Sequence, residues 1–542
     1  MTDLLRIGTS SLLNMQQAIN TVGHNITNVN TPGYSRQSVT FEARSAQSYG
    51  FGYVGSGAYI SGVNRAADDF MTSQIHSFTA SESRYRTLVG FTSRLDSLVA
   101  DADNSLNTSL QGFFNAMQDV ATNPASMPER HVLLSNATNL VSRVEALNSR
   151  FASLASEVDT QVDTLVRDIN TLIGNLGAVN REIVSAVSAG KGNPPNDLLD
   201  YRDQLLTRLA EKVGISVVPQ QDGSVNVFAG QGQALVVGTE VNLLATQPNA
   251  YDASRLDIVI KDSPGATPIN RFLTGGALQA ALEFRDGTLR QAQSQLGLIA
   301  LGLTESFNAL HEQGVDLDGN AGGKFFAGIS LGVAASGRNK GNAMPQLTLQ
   351  DASAVRASDY KVEYDGTQWT WTRVSDGTSV SGNGTLEFDG MTLDLSSGTA
   401  QGGDSFQFNP ALQAAGQFAL VLKDPAQVAA ASEAGAVGDN SNALKLAELQ
   451  FAPLVNGGKD TLQQFYGTLV ATVGLGSREA QSNLSLEAAL LGQAQQYRDS
   501  LSGVNLDEEA ANLLRYQQAY QASAQIIKIA DEAFRTLLGA LG

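Results

Sequence analysis

The sequence predicts a mainly α-helical protein of several domains with β insertions, an α+β organisation. Apolar residues recur every three to four positions at both chain ends and in a long central stretch, which is the period of a helix face. Residues 215–262 and 325–425 instead alternate apolar and polar residues between Asp-Gly turns, which indicates strands. At 542 residues, the chain is long enough for roughly three or four domains of ordinary size.

The first predicted helix carries one apolar stripe with heptad spacing. Its members are Leu12, Met15, Ile19, Val22, Ile26 and Val29. Where the stripe ends, Asn25, Asn28 and Asn30 suit a turn, because asparagine side chains bond nearby backbone groups. Pro32 cannot continue a helix and Gly33 permits a positive φ, so the chain is expected to leave the helix here.

The C-terminal segment has the same pattern on a second predicted helix. Its stripe consists of Leu506, Ala510, Leu513, Tyr520, Ala524, Ile527, Phe534, Leu538 and Leu541. Two single-stripe helices at opposite chain ends predict a terminal coiled coil, in which Leu12 to Ile26 pack against Ile527, Phe534 and Leu538. The alternative is that both are ordinary amphipathic helices packed on a core.

Further helices are predicted between the two ends from the same spacing. They span about 68–117, 129–189, 196–214 and 276–312, and helix dominates again from about residue 443. The 129–189 helix has an apolar face along its whole length, formed by Leu140, Val144, Leu147, Phe151, Leu154, Val158, Val162, Leu165, Ile169, Leu172, Leu176, Val179 and Ile183. Asn196 or Asp197 is expected to cap the helix that follows.

Strands are predicted in the remaining segments. Glycines punctuate residues 30–63, which indicates a loop with short strands. Asp222-Gly223 predicts a type I′ hairpin turn within 215–262. Trp369 and Trp371 lie on one face of one strand and are interpreted as the packing face of a hairpin rather than a ligand platform.

These elements predict three domains that are nested along the chain. They are a terminal coiled-coil core with an N-terminal loop and strand extension (1–67 and 497–542), a helical domain with a small β insertion at about 215–262 (68–324 and 426–496), and a β-rich outer domain (325–425).

Composition excludes several classes of function. The net charge is −18, which argues against nucleic-acid binding because phosphate neutralisation needs a basic surface. Without cysteine there is no disulfide, thiol nucleophile or cysteine metal site. No apolar run is long enough to cross a membrane. Charged residues are only 16%, which is typical of helices whose outer faces will be covered by neighbours.

Four motifs resemble chemical sites but lack a required partner. Gly328–Gly332 matches a G-x-S-x-G nucleophile elbow, yet every histidine lies upstream of its serine. Gly50–Gly55 matches G-x-G-x-x-G without the strand before it and helix after it that a dinucleotide site needs. His311-Glu312 lacks a second histidine. Residues 316–327 begin like a calcium loop but have alanine at the sixth and twelfth positions, so an acidic turn is favoured over weak calcium binding. We therefore expect no catalytic, cofactor or metal site.

Two segments at opposite ends of the chain resemble bacterial flagellar axial proteins of the rod, hook and hook-associated class. The first is GHNITNVNTPGYSRQ at 23–37, and the second is VNLDEEAANLL at 504–514 followed by YQQAYQASA at 516–524. The family-motif residues are Asn25, Asn28, Asn30, Thr31, Pro32, Gly33, Tyr34, Asn505, Asp507 and Glu508. Residues 196–213 and 314–326 are further similar to the hook-associated protein 1 family of hook–filament junction proteins.

The resemblance implies a structural protein with no catalytic step, located in the extracellular flagellum. It implies export of the unfolded chain through the flagellar type III apparatus, which agrees with the lack of a basic signal-peptide region at the N-terminus. The expected partners are further copies of the chain (about eleven per helical turn or ring), the hook protein, hook-associated protein 3 and an export chaperone, with no nucleic acid or membrane.

Two alternatives remain at this stage. Within the flagellar class, the chain could be a hook or distal rod protein, although the hook protein usually has Thr-Thr-Gly-Phe where this chain has Thr31 to Tyr34. Outside the class, it could be an extracellular enzyme or adhesin whose site is carried on the β-rich insert at 325–425.

Overall fold

The computed structural model describes residues 2–101, 105–190, 193–261 and 267–541, apart from the side chains of Thr2, Tyr49, Leu538 and Leu541. The predicted packing of Leu538 and Leu541 therefore lies outside the described side chains. The helices are α1 (Thr2–Thr27), α2 (Asp69–Val99), α3 (Leu106–Thr122), α4 (Met127–Ala189), α5 (Asn196–Lys212), α6 (Gly276–Glu283), α7 (Arg290–His311), α8 (Ala414–Gln417), α9 (Ser441–Glu448), α10 (Leu462–Ser502) and α11 (Leu506–Leu541). A π-helical segment, Phe284–Leu289, joins α6 to α7.

The strands fall into the three segments where they were predicted. The first segment has β1 (Gln37–Ala43), β2 (Gln47–Tyr49), β3 (Gly52–Val54) and β4 (Ala58–Arg65). The second has β5 (Ile215–Pro219), β6 (Val225–Ala229), β7 (Gln233–Val237), β8 (Glu240–Val241), β9 (Leu244–Pro248) and β10 (Leu256–Ile260). The third has β11 (Ala334–Ala335), β12 (Gln346–Leu349), β13 (Tyr360–Tyr364), β14 (Trp369–Arg373), β15 (Ser379–Gly382), β16 (Thr385–Phe388), β17 (Met391–Asp394) and β18 (Ser405–Phe408).

All the strand pairs in these sheets are antiparallel. In the first segment β1 pairs with β4 and β2 with β3, and in the second the strands form a β5-β6-β7-β8 sheet and a β9–β10 pair. In the third segment a five-stranded sheet has the order β11-β18-β13-β14-β15 and a three-stranded sheet the order β12-β17-β16. The mainly α fold with β insertions is confirmed.

The long helix was predicted correctly, and its apolar face is the centre of the core. The predicted face of α4 is buried, except that Ile173 rather than Leu172 occupies the fully buried position in that turn. Helices α3, α5 and α6 pack against α4, and α10 packs along α2. These helices form one continuous helical layer, from which the sheets of the second and third segments extend.

One helix prediction was wrong about continuity. The single helix expected over 68–117 is two helices, because Ser105 starts α3 by accepting a hydrogen bond from the amide of Asn107 (3.2 Å). The prediction that helix dominates from about residue 443 is confirmed, and this region contains α9, α10 and α11. Thr461 and Gln464 form a capping box that starts α10, and Gly503 stands between α10 and α11.

Two local predictions about caps and turns were also wrong. Neither Asn196 nor Asp197 caps α5, since the side chain of Asn196 instead donates to the carbonyl of Val63 (2.8 Å). A type I′ turn needs positive φ at both central residues, and at 222–223 only Gly223 has one (87°). That geometry occurs at Asp389-Gly390 (51° and 72°), which links β16 to β17.

The prediction for the two tryptophans is confirmed. Trp369 and Trp371 are buried on one face of β14, which pairs with β13 in a hairpin. Trp371 packs edge-on against Tyr360 and Phe388. These rings are the core of the outer sheets.

The chain on either side of the outer sheets is fixed to the helical layer by buried polar contacts. The buried His311 donates from Nδ1 to the carbonyl of Gly323 (2.7 Å) and accepts at Nε2 from the amide of Ala429 (2.9 Å). The buried guanidinium of Arg130 donates to the carbonyl of Val428 (2.6 Å). His311 therefore holds both the incoming and the outgoing segment, and Arg130 holds the outgoing segment a second time.

These contacts predict acid sensitivity of the helical layer. Burial lowers the pKa of His311 below its ordinary 6.5, because protonation would put a cation beside Arg130 and turn the Nε2 acceptor into a donor facing an amide N–H. The stability that neutral His311 provides is present above pH 6.5 and is lost as the pH falls below it, by at most about 1.4 kcal/mol per pH unit for one histidine.

The measurement is thermal unfolding by circular dichroism between pH 7.5 and 5.5. We expect the midpoint to fall with pH in the unchanged chain and to fall less in His311→Gln. Part of the slope should persist, since burial also lowers the pKa of His76. His131→Gln, at an exposed histidine, is the control and should keep the full slope. Equal slopes in all three proteins would contradict this account.

Candidate functional site: a polar cluster that joins the chain ends

The two terminal helices pack against each other in an antiparallel pair. Gly8 lies against Ile527, so close that an added Cβ would stand 2.8 Å from the isoleucine Cγ1. The hydroxyls of Ser11 and Ser523 are 2.7 Å apart. Ala18 is also fully buried. Small residues therefore form much of this contact, which lets the two backbones approach closely.

The antiparallel order changes which of the predicted stripe residues face each other. Leu12 to Ile26 lie opposite 508–523 rather than opposite Ile527 and Phe534, which was the expectation. Of the predicted stripe residues, Val22 is buried, Leu12, Met15, Ile19, Ile26, Val29, Leu513, Tyr520 and Ile527 are half-buried, and Leu506 and Phe534 are 50% and 47% exposed. Among the described side chains of α11, the buried ones are Glu509, Ser523 and Ala530, one step along the heptad from the apolar stripe.

Asn25 is the centre of a polar cluster where the pair ends. Its amide donates to the carbonyl of Gln37 (2.8 Å) and to Oε2 of Glu509 (3.0 Å). Its Oδ1 accepts from the hydroxyl of Tyr34 (2.8 Å) and from the amide of Gln37 (3.0 Å). Asn25 was expected to bond local backbone at a helix stop. It is instead a buried helical residue whose whole hydrogen-bonding capacity is used across the fold.

Glu509 carries the buried charge of this cluster. Its side chain is 1% exposed, and Oε1 accepts from Nε of Arg36 at 2.7 Å. The backbone amide of Arg36 also donates to the carbonyl of Ser502 (2.8 Å), at the end of α10. Arg36 thus fixes the α10–α11 junction to the loop after α1. The neighbouring Glu508 is 60% exposed and lies 3.5 Å from Arg36.

Tyr34 closes the cluster on the side of α1. Its hydroxyl donates to Asn25 and lies 3.0 Å from Nδ1 of His24, which can donate in return. Burial raises the pKa of Tyr34 well above its ordinary value, and the carboxylates of Asp197, Asp200 and Glu509 raise it further. The phenol therefore remains a neutral hydrogen-bond donor at any physiological pH.

The motif residues between the helix end and Tyr34 shape the turn as predicted. The side-chain amide of Asn28 donates to the carbonyl of His24 (3.0 Å), and the hydroxyl of Thr31 donates to Oδ1 of Asn28 (3.1 Å). Gly33 has a φ of 77°, which favours glycine. The carbonyl of Pro32 accepts from Gln204 of α5 (2.8 Å). The remaining motif residue of this loop, Asn30, is exposed.

Acidic residues of α5 hold the other side of the loop. Asp200 accepts from the amide of Ser35 (3.0 Å) and from Arg65 at the end of β4 (2.9 Å). Arg65 also pairs with Asp203 (2.7 Å). The loop after α1 is thereby bound both to α11 and to the helical layer.

The C-terminal motif contributes less than was predicted. Asn505 caps α11, since its Oδ1 accepts from the amide of Asp507 (2.9 Å), and the side chains of Asp507 and Glu508 face solvent. The residue that enters the cluster is Glu509. Neither Glu509 nor Arg36 was predicted from the sequence. The feature that could have indicated Glu509 is an acidic residue in the first turn of a helix, next to the C-terminal motif.

The motifs set aside in the sequence do not assemble into sites. The Gly50–Gly55 segment is the β2–β3 hairpin. The backbone amide of Ser330 donates to Gln417 (2.9 Å). Asp316 accepts from the amides of Asp318 and Asn320, as an acidic turn would. Within the described ranges, no group of three or more potential ligands could hold a metal, and no helix is long and apolar enough to span a membrane.

Models of flagellar protein families match four segments of the chain. Residues 92–326 match the flagellar hook-associated protein FlgK helical domain, and 334–410 match the flagellar hook-associated protein 1 D2-like domain. Residues 5–34 match flagella basal body rod protein, and 495–540 match the flagellar basal body rod FlgEFG protein C-terminal region. The two rod-type matches contain Asn25 and Glu509 respectively.

Relatives of similar length match over almost the whole chain. Flagellar hook-associated protein 1 of Salmonella typhimurium is 34% identical over 99% of this chain and 100% of its own length. Its namesakes in Escherichia coli and Bacillus subtilis are 33% and 24% identical over 99% and 97% of this chain, and 100% and 96% of their own lengths. The structure of the flagellar hook junction protein FlgK from Burkholderia pseudomallei has a TM-score of 0.75 at 26% identity, over 79% of this chain and all of that one.

The cluster predicts that Glu509 stabilises α11 far more than its neighbour does. Glu509→Gln removes a charge-assisted hydrogen bond and leaves Arg36 without its buried partner, at a cost of about 2 kcal/mol. We expect amide hydrogen exchange over residues 506–523 to become roughly 30-fold faster. Glu508→Gln, at the exposed neighbouring acid, should change it less than twofold. Similar effects of the two substitutions would contradict the role of Glu509.

The turn predicts opposite effects of alanine at two glycines of one motif. Gly33→Ala should cost about 1–2 kcal/mol, because φ is positive and the new Cβ would lie 2.7 Å from the Gln204 side chain. Gly23→Ala meets nothing within 4 Å inside α1 and should be neutral or stabilising by up to about 1 kcal/mol. The first thermal transition by far-UV circular dichroism measures both, and equal shifts would refute the backbone argument.

Proposed function

The chain belongs to the flagellar hook-associated protein 1 family, and on that premise we propose that it is a structural subunit that joins hook to filament by assembling with copies of itself. The observation that carries the proposal is the match of two hook-associated domains, at 92–326 and 334–410, together with rod-type segments at both ends. Rod-type matches alone would also fit a hook or distal rod protein. The two internal domains favour the junction protein over those alternatives.

The terminal pair supplies the assembling element in this proposal. Its two helices pack against each other within one subunit, while uncharged side chains such as Gln16, Gln17, Gln517 and Gln518 are exposed and face adjacent subunits. Large apolar side chains on the outer face, including Leu13 at 58% and Leu514 at 61% exposure, have the same role. Such a surface is unusual for a protein that acts alone and suits one that is covered on assembly.

The nested organisation gives each region a place in the assembly. The terminal region (1–67 and 497–542) lines the axis, the helical region (68–324 and 426–496) forms the next shell, and the insert at 325–425 projects outward. Strands of the insert occupy 334–408, whereas Phe325 and Phe326 pack among the rings of the helical layer. The polar cluster at Asn25 and Glu509 sets the angle between the first two regions.

The proposal needs no catalytic step, since assembly uses binding alone. The relatives are named as flagellar hook-associated and junction proteins, which is consistent with a non-enzyme. The proposed partners are about eleven copies in one turn or ring, the hook protein, hook-associated protein 3 and an export chaperone. Export through the type III apparatus would place the chain in the extracellular flagellum.

A substitution on the stripe of α1 tests the proposal. Ile19 is half-buried on the face toward α11, so Ile19→Asp places a charge in that contact and should abolish filament growth in cells that lack their own junction protein. The purified variant should remain folded in its central region by circular dichroism. Asn20→Asp adds the same charge at an exposed position of α1 and should support filaments under electron microscopy. Normal filaments with Ile19→Asp would contradict the assembly role of the terminal pair.

A further inference from the structure

A short hairpin between β1 and β4 exposes two aromatic side chains. β2 and β3 are joined by a tight turn at residues 50–51. Phe51 and Tyr53 are 86% and 80% exposed, and Val54 is also exposed. Residues 46–54 contain no charged side chain. Exposed aromatic groups at a hairpin tip are uncommon on an isolated protein and are the side-chain type that anchors protein interfaces.

A shallow apolar groove lies on a different pair of helices. It runs between the start of α2 and the end of α10, has a volume of about 340 Å³, and is lined by Met71, Phe78, Leu490, Gln493, Ala494 and Tyr497. These lining side chains are also uncharged. The groove continues a small apolar cluster between the two helices that is separate from the main core.

The hairpin does not occupy the groove of its own chain. The segment that follows it runs beside the start of α1, where a Cβ added to Gly57 would stand 3.5 Å from Ile7, about 27 Å along the helix from Asn25 at 1.5 Å per residue. The groove lies along α10, about 12 Å from Ser502 at the same cluster. Helix α1 packs with α11, whereas α10 packs with α2. The hairpin therefore lies beside one helix pair and the groove lies on the other. The high exposure of Tyr53 agrees with this separation.

We propose that the β2–β3 hairpin of one copy docks its aromatic tip into the α2–α10 groove of a second copy. A second copy is the occupant because the chain is proposed to assemble with itself, and the uncharged hairpin and groove let two chains of net charge −18 meet without placing like charges opposite each other. A hairpin on one surface and a groove on another make a head-to-tail contact, which continues from copy to copy into a ring or helix.

The area that this contact buries is too small for it to form on its own. Burying two aromatic side chains removes roughly 300–500 Å² from water. A stable interface on its own buries roughly 1,200–2,000 Å². The hairpin is therefore one anchor within a larger subunit contact. It holds in the assembled state and leaves dilute protein monomeric. The inference rests on the self-assembly proposed above.

The cysteine-free sequence allows a direct test in flagella. Y53C and Q493C are expressed together, as separate full-length chains, in cells that lack their own junction protein. After mild oxidation we expect a disulfide-linked pair of copies, identified by a peptide that joins residues 53 and 493. Y53C expressed with V374C, an exposed apolar position in the outer sheets, is the matched control and should give at least tenfold less linked product.

The outcomes separate the docking from the proposed function. Filaments that grow from Y53C and Q493C chains without a 53–493 link overturn the docking and leave the junction function standing. Failure of the unchanged chain to restore filaments overturns both. A photocrosslinker at residue 53 that captures a different flagellar protein, and not a second copy, also overturns the docking. Phe51→Ser with Tyr53→Ser should shorten or abolish filaments, whereas Val374→Ser should not, and normal filaments with the double variant would contradict it.

Discussion

The architecture depends on one buried carboxylate, that of Glu509. Removing a carboxylate from water costs several kcal/mol unless it is paired, and here Arg36 supplies the charge and Asn25 a hydrogen bond. Both partners come from the N-terminal end of the chain and Glu509 from the C-terminal end, so the pairing is possible only when α1 and α11 adopt one register. The contacts below it, between Ser11 and Ser523, are small and would tolerate sliding. The polar cluster therefore specifies the register that the apolar stripe alone leaves open.

The same cluster explains how the terminal helices relate to the rest of the molecule. Arg36 binds the end of α10 and α5 binds the loop after α1, so the terminal pair is attached to the helical layer through directional hydrogen bonds. Hydrogen bonds fix an angle better than apolar contacts do. In the proposed assembly, the apolar side chains on the outer faces of α1, α10 and α11 contact other subunits. The low charge content of the sequence is consistent with these uncharged outer faces.

Long periodic elements could be predicted from the sequence, and the site largely could not. The helix over 129–189 and the terminal helices follow from apolar spacing, which is a local property. Asn25 looked like a turn residue, because no local sequence pattern predicts its hydrogen bonds to Gln37 and Glu509, which are distant along the chain. Glu509 looked like one acid among several. The type I′ turn assigned to Asp222 failed for a similar reason, since turn type depends on strand register as well as on the Asp-Gly pair.

The central claim, that the two ends of one chain pair in this register, is most directly tested by a disulfide between Ser11→Cys and Ser523→Cys. The two hydroxyls are 2.7 Å apart, so cysteines at these positions bring two sulfur atoms close together across the pair. In assembled flagella made from the double variant, the account predicts a link within each chain, at monomer mass, with filaments intact. Links only between chains, found by mixing the two single variants, or no link in flagella that grow filaments, would contradict it.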